Sequence, residues 1–156
     1  MRMKKKRLAI SIVIPLAVGG LAGLLTKDSM KAFAQVEQPP LSPPGWLFPV
    51  AWTLLYVLMG IAACLADGSG APREQIRRGR WAYGVQLAMN FVWPLIFFGG
   101  GWYLAAFVWL VGLWIAAMVT AVRFGRMKKA AGYCLIPYLV WLTFAGYLNI
   151  GVYLLN

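Results

Sequence analysis

The feature that most constrains this chain is a run of 22 residues, Gly45–Ala66, that contains no charged side chain. An α-helix rises 1.5 Å per residue, so this run can cross the hydrocarbon core of a bilayer, which is about 30 Å thick. The sequence predicts an all-α, polytopic membrane protein, a bundle of five transmembrane helices with residues 1–156 as one domain. The other four predicted spans are Leu8–Leu25, about Trp81–Phe98, about Trp102–Arg123 and about Gly132–Leu154.

The composition excludes several classes of protein. Hydrophobic residues make up 62% of the chain and charged residues 12%, unlike an ordinary soluble domain. The net charge is +11, but the basic residues lie between apolar runs rather than on one face, so we expect no nucleic-acid partner. Histidine is absent and both cysteines sit inside apolar runs, so we expect no metal site. No acidic or basic residue lies inside the spans, which disfavours ion channels, proton pumps and ion-coupled carriers. The spans also hold no pair of carboxylates for acid–base catalysis.

The basic residues alternate between the two sides of the predicted bundle. Residues 1–7 hold five of them, residues 67–80 four and residues 123–129 four, whereas the loop Thr26–Pro44 holds two. Cytoplasmic segments carry the excess of Lys and Arg, so we expect the N-terminus in the cytoplasm and the C-terminus outside, in a bacterial cytoplasmic membrane. A basic start before an apolar run also resembles a signal peptide, but the run Leu8–Leu25 is long enough to span and no convincing small-x-small cleavage site closes it.

Aromatic and amide side chains recur on one face of the second, third and fifth predicted helices. These stripes are Trp52, Leu55, Tyr56 and Met59; Gln86, Asn90, Trp93 and Phe97; and Trp141, Phe144, Ala145, Leu148 and Asn149. An amide that faces lipid is costly, so we expect the amides to point inward and to bond either another helix or a ligand. The rings indicate either packed or lipid-facing aromatics or the wall of a cavity for a large, flat, mostly apolar ligand.

Two long polar segments separate the spans. The loop Thr26–Pro44 has nineteen residues, a length typical of a functional lid. We interpret Asp67–Arg80 as a solvated connection and Gly99–Gly101 as a tight turn, and we expect Pro94 and Pro137 to bend their helices.

Short motifs follow one another in a fixed order along most of the chain. They are Ser42-Pro43-Pro44, Trp46, Phe48-Pro49-Val50, Trp52-Thr53, Leu55-Tyr56, Met59-Gly60, Gln86-Leu87, Asn90, Trp93-Pro94, Phe97-Phe98-Gly99, Leu113-Trp114, Thr120, Ile136-Pro137-Tyr138-Leu139, Trp141, Phe144-Ala145 and Leu148-Asn149. Together they resemble the TspO/MBR family, which comprises the translocator proteins and tryptophan-rich sensory proteins. That resemblance implies a five-helix bundle, usually a homodimer, that binds porphyrins and sterol-like or synthetic aromatic ligands.

The resemblance also implies where the ligand binds. The candidate ligand-binding residues are Trp52, Tyr56, Asn90, Trp93, Tyr138, Trp141, Phe144, Ala145, Leu148 and Asn149, and the candidate lid residues are Phe33, Pro39, Pro43 and Pro44. We expect a membrane receptor or sensor whose ligand is a porphyrin or haem-like tetrapyrrole, with no required cofactor. The alternatives are a light-assisted porphyrin-degrading enzyme, in which Trp52 and Trp141 act on the excited macrocycle, and a carrier of tetrapyrroles or sterol-like ligands.

Overall fold

The computed structural model describes residues 5–33, 37–42 and 46–156, and this part of the chain contains helices and no strand. The helices are α1 (Lys5–Phe33), α2 (Leu47–Asp67), α3 (Arg73–Pro94), a π-helix (Leu95–Gly99), α4 (Tyr103–Met127), α5 (Lys129–Tyr133) and α6 (Ile136–Leu155). Within the described residues, five segments are long and apolar enough to cross a membrane: most of α1, α2, α3 with the π-helix, α4, and α5 with α6. The predicted fold class is therefore confirmed.

The helices do not pack equally closely. Helix α1 packs along α2, α3 along α4, and α4 along α6. A Cβ atom at Gly60 of α2 would lie 2.5 Å from the Cα of Ile12 in α1, so the absence of a side chain permits this approach. Helices α2 and α6 are joined instead by large aromatic side chains. The space between α2 and α6 is thus filled by aromatic side chains rather than by backbone contact.

The prediction that a loop begins at Thr26 was wrong, because α1 continues to Phe33. The segment from Thr26 to Phe33 is polar, but it contains no Gly or Pro that would end a helix. The Thr26 hydroxyl donates to the carbonyl of Ala22 at 2.8 Å, which satisfies it within the helix. Phe33 accordingly lies in a helix and not in a loop.

Two other predicted boundaries were wrong. The connection Asp67–Arg80 is mostly helical, because α3 already begins at Arg73. Glu74 in its first turn pairs with Arg77 at 2.8 Å and Arg78 at 3.2 Å, the i+3 and i+4 spacings that support a helix. The predicted helix Gly132–Leu154 is divided between α5 and α6.

Pro94 and Pro137 lie where the third and fifth spans change geometry. The ring nitrogen of Pro94 cannot donate to the carbonyl of Asn90, and the helix continues from Leu95 to Gly99 as a π-helix. Pro137 lies in the first turn of α6, where a missing N–H costs nothing. The turn predicted at Gly99–Gly101 begins one residue later in the structure, at Gly100, because Gly99 is still part of the π-helix.

Candidate ligand-binding site

A directed chain of hydrogen bonds joins three helices at the centre of the predicted site. The Tyr56 hydroxyl of α2 donates to Asn90 Oδ1 of α3 at 2.9 Å, and Asn90 Nδ2 donates to the Tyr138 hydroxyl of α6 at 2.7 Å. The Tyr138 hydroxyl donates in turn to Gln86 Oε1 at 2.8 Å. All four side chains are buried. Asn90 therefore bonds two other helices, as one of the two sequence interpretations of this amide predicted.

Asn149 makes a second link between helices. Its Oδ1 accepts from the indole N–H of Trp93 at 3.1 Å, and its Nδ2 donates to the carbonyl of Tyr103 at 2.7 Å. This buried amide thus ties α6 to α3 and to the start of α4. Both predicted amides hold the bundle together, and each fixes the position of aromatic side chains beside it.

Seven rings on α2 and α6 form one continuous group, which we call the ring cluster: Phe48, Trp52, Tyr56, Tyr138, Trp141, Phe144 and Tyr147. The ring centroids of Trp52 and Trp141 are 6.2 Å apart across the two helices, and Trp52 lies 6.3 Å from Tyr138, both edge to face. Trp52 also stacks on Tyr56 at 5.6 Å. Phe48 and Phe144 flank Trp141 at 5.9 Å and 5.7 Å, and Tyr147 lies 6.2 Å beyond Phe144. The rings contact one another where the sequence suggested the wall of a cavity.

Trp93 lies in a separate aromatic group. It stacks on Phe97 at 5.0 Å and contacts Phe98 edge to face at 6.1 Å. Its link to α6 is the hydrogen bond to Asn149. Ala145 and Leu148, the two small and aliphatic candidates, are buried on α6. The structure therefore brings Trp52, Tyr56, Tyr138, Trp141 and Phe144 together directly and connects Trp93 to them through α6.

A buried polar atom of the ring cluster has no partner among the described residues. Trp141 Nε1 is buried and makes no hydrogen bond to any described residue. Gln86 Nε2, at the end of the hydrogen-bond chain, is also buried and makes no hydrogen bond to any described residue. An unsatisfied buried donor costs about 1–3 kcal/mol, so an acceptor brought by a ligand would relieve that cost.

Residues 37–42, which we call the lid segment, are bound to the last turns of α6. The Glu37 N–H donates to Asn156 Oδ1 at 3.2 Å, and Asn156 Nδ2 donates to the Glu37 carbonyl at 2.8 Å. The Tyr147 hydroxyl donates to the carbonyl of Pro40 at 2.6 Å. Tyr147 is part of the ring cluster and bonds Pro40, so the lid segment lies beside the ring cluster.

Only part of the predicted lid can be placed. Pro39 is buried against α6, where a Cβ atom at Gly151 would lie 2.6 Å from its Cγ. Phe33 lies in α1, but its side chain is outside the described part of the chain, and so are the whole of Pro43 and Pro44. Leu41 has a φ of 70°, a left-handed conformation that is uncommon for a residue with a side chain.

Three residues that the structure places at the site, Phe48, Gln86 and Tyr147, are missing from the candidate ligand-binding residues. Phe48 lies one turn before Trp52, and Tyr147 lies three residues after Phe144, so helical spacing from residues already identified would have found both. Gln86 was recognised on the stripe of the third helix, but its bond to Tyr138 depends on how α3 and α6 pack, which spacing along one helix does not reveal.

Comparisons with known proteins agree on one family. The family model described as TspO/MBR matches residues 11–155. The chain is 40% identical over 151 residues to the tryptophan-rich protein TspO of Archaeoglobus fulgidus, covering 96% of this chain and 97% of that one. It is 37% identical over 150 residues to the protein of the same name from Chlorobaculum tepidum, covering 96% and 95%. Similarity extends to the translocator protein of Bos taurus, with 31% identity over 148 residues, covering 90% and 85%.

Proposed function

This chain belongs to the TspO/MBR family of membrane sensor and translocator proteins, and we propose that it is a receptor that binds porphyrins in the ring cluster. The observation that carries the proposal is the unpartnered indole N–H of Trp141, buried among the rings that join α2 to α6. A porphyrin is flat, has two apolar faces and carries polar groups at its edge. The ring cluster offers flat aromatic faces together with the buried, unpartnered donor of Trp141 for such an edge.

The character of the site fits a ligand held by burial and stacking. The ring cluster consists of Trp, Tyr and Phe side chains, and the polar groups bonded to it are neutral amides and hydroxyls. Each stacked or edge-on aromatic contact is worth about 0.5–1.5 kcal/mol beyond the burial of its area. Several such contacts on one macrocycle would give a useful affinity without ion pairs.

Entry of a macrocycle requires the rings to move apart. Helices α2 and α6 are joined across this region by side chains rather than by close backbone packing. Turning a ring about its side-chain torsions disturbs the bundle far less than separating two packed helices. The lid segment, tied to α6 through Tyr147 and Asn156, would then cover the ligand.

The test is a titration of the purified protein with protoporphyrin IX, followed by quenching of tryptophan fluorescence. Trp141→Ala removes both the ring and the N–H, so we expect affinity to fall by about tenfold or more. Trp141→Phe keeps a ring and loses the donor, for an expected loss of about two- to tenfold. Trp102→Ala, whose side chain is 69% exposed outside the ring cluster, is the matched control and should bind normally. Equal affinities for Trp141→Ala and Trp102→Ala would refute this site.

A second candidate function, light-assisted degradation of the bound porphyrin, is favoured by the direct contact of Trp52 and Trp141 at 6.2 Å. Two adjacent indoles could supply an electron to an excited macrocycle. Absorbance of the porphyrin followed in light and in darkness separates the two functions. A receptor leaves the spectrum as stable as that of free porphyrin, whereas an enzyme bleaches it in light and loses that activity in Trp141→Phe. Flux of porphyrin into liposomes tests the carrier alternative.

A further inference from the structure

An open groove of about 420 Å³ lies between the beginning of α3 and the end of α4, away from the ring cluster. Arg77, Arg78 and Arg123 line it on one side, and Val85 and Ala116, about two turns further along their helices, form an apolar wall. A second groove of about 320 Å³ shares Arg78 and Arg123 with the first. The combined surface changes from strongly basic to apolar along the direction of the helices.

The positive charge of this groove is only partly balanced. One carboxylate, that of Glu74, pairs with both Arg77 and Arg78, at 2.8 Å and 3.2 Å. Arg123 is half-buried and has no ion-pair partner among the described residues, and the same holds for the exposed Arg126 in the second groove. A guanidinium that is partly desolvated and unpaired attracts an anion, and its fork of donors matches the oxygens of a phosphate.

The groove also lies at the basic end of the bundle, where the charge pattern of the sequence predicts a membrane surface. It is at the same end of the bundle as Lys5–Arg7, which begin α1, and Lys128 and Lys129, which follow α4. Trp81, on the rim of the groove, is 69% exposed, and tryptophan is enriched at the boundary between headgroups and acyl chains. The basic end of a membrane protein faces the cytoplasmic leaflet, where the anionic lipids are found.

We propose that this groove binds the headgroup of an anionic phospholipid. The phosphate lies between Arg78 and Arg123, and an acyl chain follows Val85 and Ala116 toward the middle of the membrane. The apolar wall is the reason for assigning a lipid rather than a free phosphate, because a free anion would have no use for it. This site is independent of the ring cluster and of its ligand.

Native mass spectrometry of the purified protein with phosphatidylglycerol or phosphatidylcholine tests the proposal. We expect the wild type to retain phosphatidylglycerol preferentially, and the double variant Arg78→Gln/Arg123→Gln to bind it about tenfold or more weakly. Lys128→Gln/Lys129→Gln removes the same charge at the same end but outside either groove, and should behave as the wild type. Equal losses of affinity in the two double variants would show a diffuse charge effect and overturn the proposed site.

The single variant Arg123→Gln leaves the Glu74 pairs intact and should show an intermediate loss of affinity for phosphatidylglycerol. An unchanged affinity in this variant would also overturn the proposal.

A competition arm distinguishes a lipid from a free anion. Inorganic phosphate at a hundredfold excess over phosphatidylglycerol should leave most of the lipid bound, because it cannot use the apolar wall. Complete displacement by inorganic phosphate would show an anion site and not a lipid site, and would overturn the proposal.

Discussion

At the scale of single residues, Tyr138 connects the two parts of the candidate site. Its hydroxyl accepts from Asn90 and donates to Gln86, while its ring lies edge to face against Trp52. The side chain is 1% exposed. One residue therefore couples the hydrogen-bond chain that orders α2, α3 and α6 to the rings that are proposed to hold the ligand.

Loss of the Tyr138 hydroxyl should cost more stability than loss of the Tyr56 hydroxyl. Tyr138→Phe leaves both Asn90 Nδ2 and Gln86 Oε1 without their partner, whereas Tyr56→Phe removes one bond. We expect the free energy of unfolding to fall by about 1–2 kcal/mol in the first variant and by about 0.5–1 kcal/mol in the second. Unfolding in a denaturing detergent measures both, with the partly exposed Tyr153→Phe as control. An equal effect of all three variants would contradict the hydrogen-bond chain.

The sequence predicted the faces of these residues but not their partners. Helical spacing placed Gln86, Asn90, Trp93 and Phe97 on one inward stripe, and all four are buried. Spacing cannot show that Asn90 meets Tyr138 while Trp93 meets Asn149, because those pairs depend on the rotation and height of two separate helices. The same limit explains why Trp93 was grouped with Trp52 and Trp141 although it packs on Phe97.

At the scale of helices, the boundaries show what hydropathy can and cannot predict. It located the five spans, because the bilayer sets the length of each apolar run. It ended α1 too early and began α3 too late, because a helix stops where backbone geometry or a Pro or Gly ends it, not where the side chains become polar. The segments 26–33 and 73–80 are such polar extensions of apolar helices.

The contact between α1 and α2 should depend on Gly60. Gly60→Ala would place a Cβ atom 2.5 Å from the Cα of Ile12, so the two helices must separate, and we expect a loss of about 1–3 kcal/mol in the free energy of unfolding. Gly84→Ala is the matched control, since a Cβ atom there meets nothing within 4 Å. That variant should be neutral or slightly more stable because alanine favours a helix. A Gly60→Ala protein as stable as Gly84→Ala would show that α1 does not pack as described.

At the scale of the whole molecule, the charge asymmetry predicts the orientation in the membrane. Thirteen of the fifteen Lys and Arg residues lie in three segments of the sequence: residues 1–7, residues 67–80 and residues 123–129. Those of them that the structure describes lie at one end of the bundle. We expect that end in the cytoplasm and Asn156 outside. A reporter enzyme that is active only outside the cytoplasmic membrane, fused after Asn156, should be active. Activity at the same position of a reporter that works only in the cytoplasm would contradict this orientation.

The homodimer that the family resemblance implies also stays a prediction.

The most direct test of the central claim is to find which tryptophans lie beside a bound porphyrin. Illumination of the complex with protoporphyrin IX generates singlet oxygen at the ligand, and peptide mass spectrometry then shows which indoles are oxidised first. If the ligand occupies the ring cluster, Trp52 and Trp141 should be oxidised before Trp81 and Trp102. Exposure alone predicts the opposite order, because Trp81 and Trp102 are each 69% exposed and the ring-cluster pair is partly buried. Oxidation of Trp81 and Trp102 first, with Trp52 and Trp141 intact, would contradict the site.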